Sequence, residues 1–148
     1  MKKTTDRDIV NLQDNLYALR RLAGWTAEDL GDLIGVTKQT IRNLEKRHNG
    51  ATMSKTQYIA IRTMLDYEIA DNPDNVALEQ AVRILLDSEE MPEEQYEKAK
   101  NAVTVASGAA ATGMEYKATE TVLNALIETI PVIVAGASWI ARAVKGVK

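Results

Sequence analysis

The sequence has no cysteine, no phenylalanine, only three prolines and a single histidine. Without cysteine there is neither a disulfide framework nor a thiolate metal site, and one histidine does not make a zinc site. No glycine-rich phosphate loop, nucleophile elbow or histidine-based ligand spacing is present. The reading is therefore a non-enzyme with no catalytic residues, no metal and no cofactor. The opening stretch "MKKTTDRDIVNLQ" lacks the apolar core of a signal peptide, so the expected location is cytoplasmic. What is abundant is alanine and leucine, and no useful run alternates apolar with polar residues. The expected fold class is all-α, a small helical head followed by a helical C-terminal module.

A formal net charge of −3 hides an uneven distribution. Residues 1–62 carry +4, residues 63–100 carry −8 and residues 101–148 carry +1. A basic head before an acidic middle fits a nucleic-acid binder with a separate partner-facing region, although acids also simply coat solvated helices.

The helical pattern of the head is regular. Ile9, Leu12, Leu16, Leu19 and Ala23 repeat at helical spacing after Thr5 and Asp8, a capping-box pair, and Gly24 ends the run. "TAEDLGDLIG" starts at Thr26, has an acid three residues on at Asp29, and stops at Gly35. "TKQTIRNLEKRH" starts at Thr37 and stops before the turn pair Asn49-Gly50. "SKTQYIAIRTMLDYEIA" starts at Ser54 and should run to about Ala70, with Tyr58 and Tyr67 as packing residues. "DNPDN" at 71–75 is a break, dividing the chain into 1–70 and 76–148.

Between the second and third patterns lies one apolar residue, Val36. So short a turn makes the two helices cross steeply, and Gly31 supplies the small residue the crossing needs. Leu30, Ile34, Val36, Ile41 and Leu44 would lock the pair inward. That turns Lys38, Gln39, Arg42 and Asn43 outward as candidate base contacts. Lys and Arg donate to guanine, while Gln and Asn pair in bidentate fashion with adenine. A recognition helix reads bases mainly from its N-terminal residues, where Lys38 and Gln39 sit. Any solvated helix carries such residues, and only the surrounding apolar pattern favours a reading face.

"LRRLAGWTAEDLGDLIGVTKQTIRNLEKR" resembles the helix-turn-helix of phage-repressor (Cro/Xre) transcriptional regulators, a likeness that spans about residues 9–70. Gly31, Gly35, Val36, Ile41 and Leu44 occupy the family's positions. The resemblance implies an ion pair between Arg20 in the first helix and Glu45 at the end of the third. It implies DNA backbone contacts from Thr26, Thr37, Arg47 and Lys55, double-stranded DNA as partner, and action as a repressor dimer on a pseudo-palindromic operator. Where the family commonly has Gln at the start of its second helix, this chain has Ala27, which puts that phosphate contact in doubt. His48, the only histidine, reads as a loop residue.

In the second half, "NVALEQAVRILLD" repeats apolar residues at helical spacing, and Pro92, Glu93 and Glu94 suit a helix start. Ala99, Ala102, Val103, Ala106 and Ala110 would form a tight seam, with a break expected near Gly108 and Gly113. Residues 76–148 are expected to provide a homodimer or higher homo-oligomer contact, or to bind a protein partner, as in an antitoxin that represses its own promoter. A scaffold whose helix-turn-helix no longer meets DNA is a further alternative. "TVLNALIETIPVIVAGASWIA", 21 residues, is near membrane-spanning length. It contains Glu128, which costs roughly 2.5–3.5 kcal/mol at mid-span, and this favours a buried helix while leaving membrane contact open.

Overall fold

The computed structural model describes residues 4–46, 51–87 and 92–112, together with Trp139, Ile140 and Ala143. These residues hold helices α1 (Thr4–Leu22), α2 (Ala27–Ile34), α3 (Lys38–Glu45), α4 (Lys55–Asp71), α5 (Val76–Leu85) and α6 (Glu93–Thr112). No strand occurs among the described residues, so the fold is all-α.

The ends of the helices follow their capping chemistry. At α2, the Thr26 hydroxyl accepts from Asp29 N and the Asp29 carboxylate accepts from Thr26 N, both at 2.9 Å. At α4, Ser54 and Gln57 make the same reciprocal pair. Each box satisfies two of the amides that a helix start leaves without partners. Thr5 differs from expectation: α1 is already helical at Thr4, so Thr5 lies inside the helix and is not its cap. Similarly, α6 passes through Gly108 without a break and continues to Thr112, because glycine only weakens a helix by about 1 kcal/mol and the buried seam holds this one. Gly113 lies outside the described residues.

α1 is the hub of the molecule. Leu12, Leu16 and Leu19 are all but inaccessible to solvent, each contributing roughly 1.5–3 kcal/mol by burial. α3, α4, α5 and α6 all touch this helix. The most extensive pairing is α1 with α6, whose seam is Ala99, Val103 and Ala106, all fully buried; small side chains let two helices approach. Two asparagines fix the register. Asn15 Nδ2 donates to the Tyr96 hydroxyl of α6 at 3.0 Å. Asn75 caps α5 through Leu78 N and donates at 2.8 Å to the carbonyl of Leu22, one of the orphan acceptors at the end of α1. The described parts of α5 and α6 thus spend their apolar faces inside the core that also holds α1 to α4.

α4 is buried on one side through Tyr58, Ile61, Arg62 and Leu65. Tyr67, expected to pack, is 61% exposed. Nine residues at 3.6 per turn are two and a half turns, which puts Tyr58 and Tyr67 on opposite sides.

Arg62 is the unusual core residue, at 1% exposure. Its Nη1 and Nη2 meet the two carboxylate oxygens of Asp87 at 2.9 and 3.1 Å, and Nη2 lies 3.5 Å from Asp66. Trp139 covers the guanidinium at 5.1 Å, sits edge-on to Tyr58 at 5.7 Å and donates its indole N–H to Asp66 at 2.7 Å. Burial on its own would lower the pKa of Arg62; the hydrogen bonds and charge of Asp87, with Asp66, outweigh it and raise the pKa above its ordinary value.

Among the described residues no helix is long and apolar enough to cross a membrane. The candidate span at 121–141 lies outside the described residues apart from Trp139 and Ile140.

Candidate nucleic-acid interface

The turn between α2 and α3 is built around Gly31. Its carbonyl accepts from Gly35 N at 2.8 Å and Val36 N at 2.9 Å, closing the end of α2. Gly35 then takes the left-handed conformation, φ +80°, which favours glycine. Thr37 caps α3, its hydroxyl accepting from Thr40 N at 3.1 Å.

The two glycines are needed for different reasons. A Cβ on Gly31 would stand 2.6 Å from Val36 O and 3.2 Å from the Thr37 carbonyl carbon, whereas one on Gly35 would meet nothing within 4 Å. In Gly31→Ala, alanine's better helix propensity returns about 1 kcal/mol. The clash is with backbone, so relief requires moving the start of α3, and overpacking of this kind costs about 1–3 kcal/mol or more. The expected result is a net loss of stability in thermal denaturation together with weakened DNA binding. Gly35→Ala is expected to lose only about 1–2 kcal/mol of left-handed strain. A Gly31→Ala protein as stable as wild type and binding as well would refute the close-approach argument.

Ile41 and Leu44 are buried at 0% and 1% exposure, with Leu30 buried opposite and Ile34 and Val36 partly buried against the same core. Arg20 ties α1 to the end of α3. Its Nε and Nη2 meet the Glu45 carboxylate at 2.7 and 3.2 Å, and Nη1 donates to Trp25 O at 2.9 Å. With that side anchored, Lys38, Gln39 and Arg42 stand exposed and Asn43 is half-buried. Gln39 Nε2 donates to Asn43 Oδ1 at 3.0 Å, so these two amides form one preset unit.

Residues 16–55 match the family model described as helix-turn-helix. The matched segment is a helix-turn-helix of the phage-repressor (Cro/Xre) type. This makes the chain a DNA-binding protein of the transcription-regulator kind. No curated protein and no solved structure matches the chain.

A cleft of about 800 Å³ borders the helix-turn-helix where the end of α1, the start of α2 and the end of α3 converge, and its walls include Arg21, Thr26, Ala27, Arg42 and Lys46. Arg21 and Lys46 were not singled out in the sequence. Their neighbours Arg20 and Glu45 gave the only hint, since the ion pair brings the two helix ends together. Arg21 is steadied by Tyr17, whose hydroxyl accepts from Nη1 at 2.8 Å. The start of α2 is itself acidic, with Glu28 and Asp29 in the first turn, and its capping box occupies Thr26 N and Asp29 N. Arg21, Arg42 and Lys46 thus line the cleft beside Ala27, next to an acidic helix start.

The other candidates fall in two groups. Thr26 and Thr37 are exposed cap residues, and Lys55 is half-buried at the first position of α4. Arg47, His48 and Asn49-Gly50 lie outside the described residues.

Proposed function

We propose that the chain is a sequence-specific, double-stranded DNA-binding transcriptional repressor of the cytoplasm that acts as a homodimer on a pseudo-palindromic operator. The observation that carries this reading is the division of α3. One side is fixed by Ile41, Leu44 and the Arg20–Glu45 pair, and the other presents Lys38, Gln39, Arg42 and Asn43 in a row. Each subunit would set α3 in a major groove, and two grooves one helical turn apart require two copies. The dimer contact would come from the exposed side of the 76–148 half, where Val105 and Ile140 face outward, since the apolar faces of α5 and α6 are buried within the subunit. Lys38 and Arg42 would favour guanine, with the linked Gln39–Asn43 unit on adenine. Thr26, Thr37, Arg47 and Lys55, joined by Arg21 and Lys46 of the cleft, would grip phosphates, which fix register without reading sequence. Repression follows from occupying the promoter.

The test is binding to the gene's own upstream DNA, followed by footprinting and by titration of two variants on operator and random DNA. Gln39→Ala is expected to lower the operator-to-random ratio by roughly 5–150-fold, the worth of one bidentate base contact. Lys55→Ala should weaken both DNAs alike and make the log–log salt slope shallower by about one. Equal losses on both DNAs from both variants would show that α3 is not reading bases.

A further inference from the structure

Gln13 lies on α1, next to the core residue Leu12, and uses its whole amide on the connection between α3 and α4. Nε2 donates to Leu44 O at 3.0 Å and to Ala51 O at 2.7 Å, and Oε1 accepts from Met53 N at 3.0 Å. Leu44 O belongs to the last turn of α3, where carbonyls have no partner within the helix. Met53 immediately precedes Ser54, the cap of α4, and its own side chain is buried. One neutral side chain on a third helix thus holds the exit of the recognition helix and the entry of the next. Turning the amide over would set oxygen against two carbonyl oxygens and nitrogen against an N–H, so its orientation is fixed.

We infer that Gln13 is a positioning residue for the DNA backbone grip: it sets where the start of α4, with Lys55, stands relative to α3, without touching DNA itself. The inference rests on the DNA-binding reading above. Its geometry separates two tasks. Of the proposed base contacts, Lys38 and Gln39 stand at the opposite end of α3 from Leu44 and are held by the Thr37 cap and the Gly31 turn, while Arg42 and Asn43, beside Leu44, are held by the buried Ile41 and Leu44 side chains and the Arg20–Glu45 pair. The phosphate contacts expected from Lys55 depend on the stretch that Gln13 fastens. Loss of Gln13 should therefore loosen the grip and leave base preference intact.

The decisive variant is Gln13→Met, which keeps length and approximate volume and removes all three hydrogen bonds. Gln13→Glu keeps the acceptor for Met53 N, removes both donors and sets a charge against two carbonyls. Full-length proteins are titrated with operator and random DNA over a salt series. Amide exchange at Met53 is measured alongside exchange in the core of α1. Gln13→Met should weaken both DNAs by the same factor, about tenfold, with the operator-to-random ratio kept and the salt slope shallower by about one. Met53 exchange should accelerate more than exchange in α1. Gln13→Glu should weaken both DNAs at least as much, while Met53, whose N–H keeps its carboxylate acceptor, exchanges more slowly than in Gln13→Met. A purely stabilising role would instead lower the folded fraction and leave the salt slope of the folded protein unchanged, and that result overturns the inference. So does a changed base preference or an unchanged Met53 amide. Absence of DNA binding by the wild type overturns the DNA reading itself, a different result from wild-type binding with an unaltered variant slope. If Gln13→Met fails to fold, Gln13→Asn, one methylene too short to span the same groups, is held to the same outcomes.

Discussion

Arg62→Ala should lower stability by about 3–5 kcal/mol, the usual cost of breaking one partner out of a buried ion pair, seen as a fall in Tm of roughly 6–20 °C. The guanidinium is 1% exposed and bonded to both oxygens of Asp87, itself 5% exposed. Alanine takes that charge away from Asp87 and leaves the carboxylate in a nearly dry site. It also removes the surface on which Trp139 rests. Against a typical domain stability of about 5–15 kcal/mol, such a loss is a large share of the total. Arg62→Lys should not rescue it, because an ammonium cannot reproduce the two parallel bonds. The double variant Arg62→Met with Asp87→Leu should be more stable than Arg62→Ala, since removing a buried pair together costs less than breaking it. A Tm for Arg62→Ala within a degree or two of wild type would show that the pair contributes little.

A loss of similar size, about 3–5 kcal/mol, is expected for Arg20→Ala, with a stronger effect on DNA binding. Both side chains of the Arg20–Glu45 pair are about nine-tenths buried. Arg20 does more than face Glu45, because Nη1 also holds the carbonyl of Trp25 in the link between α1 and α2. Its removal frees the end of α3, strips Glu45 of its cation and releases the link at once. Ile41 and Leu44 still bury their side chains, so α3 persists as a helix while its angle to α1 loosens. Affinity for operator and random DNA should both fall. Arg20→Lys should recover only part, as it reaches one group at a time. Chemical denaturation with binding titrations checks this, and a variant within about 0.5 kcal/mol of wild type, the range of an ordinary surface change, would mean that the pair is not structural.

The parts legible in the sequence are those whose partners lie close along the chain. The Thr26–Asp29 box is three residues apart, Ser54 marked the start of α4 although its box partner Gln57 went unread, and Gly31 and Gly35 lie within a few residues of the turn they serve. Arg20 and Glu45 were legible through the family resemblance, not through spacing. What could not be read has distant or anonymous partners. Gln13 binds backbone atoms 31 to 40 residues away, and backbone groups leave no mark in the residue types. Arg62 stands four residues before Asp66, which reads as an ordinary surface pair on a helix; its burial depends on Asp87 and Trp139, both far along the chain. The apolar faces of α5 and α6 were visible, but nothing in their pattern named α1 as the element they cover.

The bond from Trp139 to Asp66 joins residues 73 positions apart, and this has a consequence in time. During synthesis at about 5–20 residues per second, α1 to α4 leave the ribosome several seconds before Trp139 is made. Through that interval Arg62 lacks the indole that later covers it. Contacts so distant in sequence form late, because the long loop must close first. The DNA-binding head of a nascent chain is thus expected to be open on its α4 side, and to reach its final stability only when the distant tryptophan arrives.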